Sequence, residues 1–373
     1  MTYAFPTDYA RARAEFLRAA ESAGARLRTF VLPGHQGPDG GELCVDTAYL
    51  GPAGPAKLLV TVSGTHGIEG FCGSACQSGI LLGEGMARGL PGDTGVLLVH
   101  ALNPYGFAYL RRVNEENIDL NRNFVDHDDP PHNDPYDLVH PVLVPPDAPA
   151  FAAGRLIGEL TGLRELLGPQ ILQEAVTRGQ YRQPDGLFYG GRRACWSRRV
   201  FQTIVAEQIA GAAHIGYLDL HTGLGARGVG EPIFRGGPDA DAFQRARRWY
   251  GDALTASEQG TSSSTPIVGN TAGAVAAGIG PGSELTAITL EFGTQPGVEV
   301  LVALCADNWL HQHLPPAEAV RSELKSLIRE AFCPAADEQW RGLVLQRARE
   351  VFGQALAGLA DAKPGRRSTA ARS

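Results

Sequence analysis

The chain reads as a single α/β domain, a mixed and mostly parallel central sheet with helices on both faces. Three observations predict it. Four apolar runs, KLLVTV, GVLLVHA, HIGYLDL and TAITLEF, have the unbroken hydrophobicity of strands covered on both sides. Segments with helical periodicity lie between several of them, so strands and helices alternate as in βαβ units. Three of the four runs open at their carboxyl ends into glycine-bearing turns with polar side chains, where open α/β sheets place their sites.

Taken in order, Thr7 or Asp8 caps a first helix that continues through Ala23 and stops at Gly24. Two strands follow, at 27–32 and Glu42–Leu50, separated by the turn-rich GHQGPDGG. The strand Lys57–Val62 then breaks through Ser63-Gly64 into the turn HGIEG, which presents His66 and Glu69. Residues 71–90, rich in small side chains, predict a helix pressed against the sheet, and GVLLVHA (95–101) is the next buried strand. Residues 125–149 are rich in Pro and Asp and read as a loop able to wall or cover a pocket. Its His127, His132 and His140 match no metal-site spacing and read as solvated.

Leu156, Ile157, Leu160, Leu163 and Leu167 share one face of a further helix, as do Val200, Ile204, Val205 and Ile209 in another. The loop QYRQPDGLFYGGRR separates them. HIGYLDLHTGLG (214–225) is a strand that turns at Asp219 and His221. A polar Gly- and Ser-rich stretch (260–282) precedes TAITLEFGT (286–294), which ends near Glu291. The remainder reads as helices at 298–314, 316–332 and 337–359. The division is one catalytic domain, 1–362, and a disordered basic tail, 363–373. Trp196, Trp249, Trp309 and Trp340 fall on predicted helices as packing groups, and His100, ending a buried strand, reads as structural.

Bulk properties exclude several classes. With 43% hydrophobic residues in 373, the chain can bury a large core. A net charge of -7 lacks the basic field of a general nucleic-acid binder. No run approaches the length of a membrane span, and the amino-terminal residues show no apolar signal core, so the expectation is a soluble cytoplasmic protein with no membrane partner. Six cysteines (44, 72, 76, 195, 305 and 333) form no CxxC pair and read as reduced thiols.

Three strand ends thus deliver His66 with Glu69, His221, and Glu291. A catalytic zinc takes three protein ligands and keeps a position open for water, and two His with one Glu is an established set. A further carboxylate beside the ion takes the water's proton, and an arginine stabilises the oxyanion without losing its charge. The segment NPYGFAYLRRVNEENIDLNRNF supplies Arg111, Arg112 and Arg122.

In this order HGIEG, NPYG…RR…DLNRNF, DLHTG and LEFGT resemble the zinc carboxypeptidase family and its relatives, the aspartoacylase and succinylglutamate-desuccinylase enzymes. The likeness extends to a bacterial branch known as a domain of unknown function. The resemblance implies a three-layer, phosphorylase/hydrolase-like fold and one zinc per chain held by His66, Glu69 and His221. It also implies Glu291 as general base and Asn121 with Arg122 as the grip on a substrate carboxylate. Arg112, in R-x-N-E, fits the oxyanion position better than Arg111. Asp219 would orient a ligand, His66 in the first instance. The implied substrate is a small peptide or an N-acyl amino acid. The rival readings are an N-acyl-amino-acid deacylase and a non-catalytic zinc-binding homologue. HGIEG resembles the deacylase form of its motif. No tyrosine between His221 and Glu291 matches the carboxypeptidase context, Tyr250 qualifying by position alone.

Overall fold

The computed structural model describes residues 5–83, 86, 89–146, 153–313, 318–334 and 336–362. An eight-stranded sheet runs through the chain: β1 (Arg26–Gln36), β2 (Glu42–Leu50), β3 (Lys57–Val62), β4 (Thr94–His100), β5 (His214–Arg227), β6 (Gly230–Phe234), β7 (Thr255–Ala256) and β8 (Glu284–Gly293). The spatial order is β1-β2-β4-β3-β5-β8-β6-β7. The centre, β4-β3-β5-β8, is wholly parallel, while β1, β2 and β6 join antiparallel on the flanks. The four apolar runs of the sequence are those four central strands.

Their alternation separates two cores. Leu59, Leu98, Leu218 and Leu290 point to one face, under the first helix (Tyr9–Ser22), the helix Gly70–Leu81 and the long helix Glu338–Ala360. Val60, Leu97, Tyr217 and Ala287 point to the other, beneath Trp196–Ile204, a π-helical turn at Val205–Ile209, and Thr271–Gly278. Side chains two apart share a face, so Asp219 and His221 continue the row of Tyr217, and Thr289 and Glu291 that of Ala287. Polar groups replace the second core at the carboxyl end of the sheet.

Local chemistry sets the ends of elements. Asp8 caps the first helix by accepting from the Arg11 N–H, a contact worth about 1 kcal/mol. Lys57 donates its Nζ to the Ala360 carbonyl at 2.9 Å, a cation at a helix carboxyl end that ties the start of β3 to the last helix. The Trp340 indole donates to Gly293 O at 2.8 Å, pinning the same helix to the end of β8.

Several expectations need correction. The helix expected over 71–90 ends at Leu81. The expected loop 125–149 contains a helix, Tyr136–Leu143, carrying Pro141 inside it. A helix that went unread, Pro169–Thr177, lies between the first amphipathic helix and the loop QYRQPDGLFYGGRR. The polar stretch 260–282 holds Thr271–Gly278. Strands β6 and β7 and the helix Ala240–Tyr250 went unread, being short or strongly polar. On Ala153–Leu167, Leu156 is buried but Ile157 is 43% exposed, so the buried stripe is narrower than the periodicity suggests. The tail 363–373 lies outside the described residues. All six cysteines are buried.

Candidate metal centre and active site

Strands β3, β5 and β8 are neighbours, and the register sets His221 directly opposite Glu291 and Val62 opposite Asp219. Beyond Val62 the chain makes a turn at Gly67–Glu69 that brings His66 and Glu69 over β5. The parallel register therefore gathers groups separated by more than two hundred residues.

His66, Glu69 and His221 each offer a ligand atom within 4.8 Å of the others, and all three are buried. His66 Nδ1 lies 2.8 Å from Glu69 Oε1, His221 Nδ1 lies 2.8 Å from Glu69 Oε2, and the two Nδ1 atoms are 3.1 Å apart. The far nitrogen of each ring meets a carboxylate. His66 Nε2 faces Asp119 Oδ1 at 3.2 Å, and His221 Nε2 faces Asp219 Oδ2 at 2.9 Å. A ring that donates from Nε2 turns a lone pair inward from Nδ1. Two such lone pairs and a carboxylate converging on one point make a donor set that fits a divalent metal ion.

Asp219 thus holds His221 rather than His66. It is two residues before His221 on the same face of β5, and it is fixed there by Thr65 Oγ1 and Thr271 Oγ1, each donating at 2.8 Å. The partner of His66 is Asp119, which sequence reasoning missed although it opens DLNRNF. Asp119 also accepts from Arg112 Nε at 3.0 Å and from the Asn121 N–H at 2.9 Å.

The remaining predicted groups line the same cavity, of about 310 Å³: Arg112, Asn121, Arg122 and Glu291. Arg112 Nη1 reaches Glu69 Oε1 at 3.4 Å. Arg111 turns away, to Asp307 and Asn117, and takes no part in the cavity wall. Asn121 Oδ1 accepts from the Thr271 N–H. Arg122 donates to the carbonyls of Asn121 and Thr177, and its buried Nε has no partner among the described residues. Phe188 lies beneath both guanidinium groups, 5.3 Å from Arg112 and 5.7 Å from Arg122, on backbone at φ 54°. Tyr250 is buried elsewhere, and no tyrosine lines the cavity among the described residues.

The charges are strongly skewed. Burial opposes ionisation of Glu69, but His66 and His221 hold its carboxyl well below the usual range. Burial likewise opposes charge on His221, but Asp219 and Glu69 raise it well above an ordinary imidazole. Asp119 is held low, against its burial, by Arg112, His66 and Arg122. Glu291 goes the other way: burial and then the negative charge of Glu69 push it up to about 7. The site therefore separates carboxylates that stay ionised from one poised to exchange a proton near neutrality.

A family model described as "Protein of unknown function (DUF2817)" matches residues 5–347. No curated protein matches the chain. Among solved structures it is similar to carboxypeptidase A from Helicoverpa armigera, at 13% identity, covering 95% of this chain and 74% of that one, with a TM-score of 0.43. It is similar also to bovine thrombin-activatable fibrinolysis inhibitor in complex with tick carboxypeptidase inhibitor, at 12% identity, 91% and 97% coverage and a TM-score of 0.46. A third likeness is to a Shewanella frigidimarina protein described as a candidate succinylglutamate desuccinylase/aspartoacylase, at 16% identity, 77% and 71% coverage and a TM-score of 0.36. Resemblance this distant carries no statement about chemistry, which rests on the residues of the site.

Proposed function

Since the chain belongs to the DUF2817 family, whose description assigns no activity, we propose from the site itself that it is a zinc-dependent hydrolase of metallocarboxypeptidase type. It cleaves an amide bond next to a free carboxylate. The observation that carries this reading is the convergence of His66 Nδ1, His221 Nδ1 and the Glu69 carboxylate, with Asp119 and Asp219 behind the two rings. His66, Glu69 and His221 would hold the ion, which when bound supplies Lewis acidity and a water acidic enough to ionise near neutral pH.

The protein's own groups supply the rest. Glu291, kept in place by the Leu224 N–H donating to its Oε1 at 3.1 Å, accepts the nucleophile's proton. It later returns that proton to the leaving amine, one carboxyl serving first as base and then as acid. Arg112, anchored through Nε and Nη1, presents a fixed positive charge to the oxyanion. Arg122 and Asn121 take the substrate carboxylate and orient the scissile bond.

The size of the cavity favours a second reading with the same machinery, an N-acyl-amino-acid deacylase. At about 310 Å³ it lies at the low end for ligand pockets and suits one acylated amino acid. Peptides with free carboxyl ends and N-acyl amino acids, assayed side by side, separate the two. Replacing Glu291 with Gln tests the shared mechanism. Zinc should remain at one per chain while turnover drops by about 10²- to 10⁴-fold, and undiminished turnover would remove Glu291 as the base.

A further inference from the structure

We propose that Lys325 is a positioning residue of the active site: with Asp307 it braces the chain at 109–112 and so fixes where Arg112 meets the developing oxyanion. The inference deepens the hydrolase reading and rests on it for the role of Arg112. Its own support is a polar network outside the cavity wall.

Lys325 stands on the helix Glu318–Phe332 and Asp307 on the helix Gly297–Gln312. The ammonium donates to Tyr109 O at 2.7 Å, to Asp307 Oδ1 at 2.6 Å and to His311 Nε2 at 2.8 Å, with Leu110 O at 3.2 Å. Its three N–H groups are thereby all engaged, and two of the four acceptors are carbonyls of a distant part of the chain. Asp307, only 3% exposed, turns its other oxygen, Oδ2, to Arg111 Nε at 3.4 Å. Arg111 Nη2 donates on to Asn117 Oδ1 at 3.0 Å. One carboxylate thus joins the lysine to the segment a second time, through the Arg111 side chain.

The segment needs such a brace. Leu110 sits in left-handed backbone at φ 53°, an uncommon conformation for a bulky side chain. Backbone of that kind persists only where its surroundings over-determine it, and Lys325 takes the carbonyls of both peptide units that flank the Leu110 Cα. The next two carbonyls, of Arg111 and Arg112, accept from Ile68 N–H at 2.8 Å and Gly67 N–H at 3.1 Å, in the turn beside His66 and Glu69. The Arg112 side chain leaves the same stretch of backbone to reach Asp119 and Glu69. Arg122 is anchored separately, by the Asn121 and Thr177 carbonyls. Loosening the brace therefore displaces the cation at the oxyanion and leaves the grip on the substrate carboxylate in place.

The alternative role for Lys325 is to neutralise Asp307 between two packed helices. Against it, Arg111 already brings a cation to that carboxylate, and the lysine spends bonds on the Tyr109 and Leu110 carbonyls. Kinetics in two backgrounds separate the roles, with zinc saturating and the amide that the unaltered chain cleaves best as substrate. Lys325→Met should lower kcat by about 10- to 100-fold and leave KM within about twofold. In an Arg112→Met background the same change should alter the residual kcat by less than about twofold, because the group it positions is gone. Lys325→Arg, which keeps the charge, should recover part of the loss. Hydrogen exchange supplies a readout without turnover: the Gly67 and Ile68 amides should exchange about tenfold or more faster in Lys325→Met, and those of β3 at the native rate. An equal fall of kcat in both backgrounds, a rise in KM without a fall in kcat, or native exchange at those two amides overturns the proposal. If Lys325→Met does not fold, Asp307→Asn, nearly unchanged in shape, carries the same expectations. Cleavage of no amide at all would defeat the hydrolase reading, and the exchange result alone would then decide the brace.

Discussion

Asp119 and Asp219 each touch one imidazole and neither faces the point where the ligand atoms converge. Each fixes a tautomer and a ring angle, so Asp119→Asn and Asp219→Asn should each weaken zinc binding by about 10- to 100-fold with the fold intact. Competition with a chromogenic chelator measures this, and unchanged affinity in both variants would strip the two carboxylates of that role. The chain shows why one partner was legible and the other was not. Asp219 came to notice as an orienting group through the likeness of DLHTG to a family motif, but the ring it touches follows from strand period, which puts it beside His221. Asp119 stands 53 residues from His66 and is joined to it only by the fold. Lys325, a single lysine on a polar helix, carried no sequence signal at all.

At the scale of elements, the turn Gly67–Glu69 explains the glycines of HGIEG. It is pressed against the short helix Pro104–Ala108, with Gly67 and Ile68 donating to the Arg112 and Arg111 carbonyls. A Cβ at Gly67 would lie 2.0 Å from the carbonyl carbon of Gly106, and one at Gly70 would lie 2.5 Å from the Phe107 ring. Gly67→Ala should therefore cost about 3 kcal/mol in urea unfolding and lower zinc occupancy, because His66 is its neighbour. A variant with native midpoint and full occupancy would mean that the contact yields easily. The missed helices have equally local reasons. In Tyr136–Leu143 the buried Tyr136, Val139 and Leu143 keep helical spacing, but Pro141 and the flanking Pro- and Asp-rich chain masked it. In Pro169–Thr177 only Ala175 and Val176 are fully buried, so the stripe is too short to read.

For the molecule as a whole, burial of His100 links stability to pH. The ring is fully buried, stacked on Phe16 at 4.3 Å and 3.0 Å from Ser74 Oγ, and burial holds its pKa down at about 4. The unfolded chain binds this proton below about 6.5 and the folded chain does not until about 4. Stability is therefore complete above the unfolded value and declines as pH falls through that window. From pH 7.5 to pH 5 the loss from this group should be about 2 kcal/mol, read from urea midpoints. His100→Asn should be less stable at pH 7.5 but show a shallower decline, and an equal decline would place the sensitivity elsewhere. The sequence by itself determined the class of fold, because runs covered on both faces must be apolar throughout and so are visible without any partner. It also pointed to His66, Glu69, His221 and Glu291, since strand ends and glycine turns mark where polar groups can gather, while Asn121 and Arg122 came from the likeness of DLNRNF to a family motif; all six line one cavity. Only the tertiary structure decided which carboxylate backs which imidazole, that Arg112 and not Arg111 lines the cavity, and that Lys325 reaches the carbonyls just before them. Those depend on strand order and register, and hydrogen bonds between distant segments leave no period in the chain.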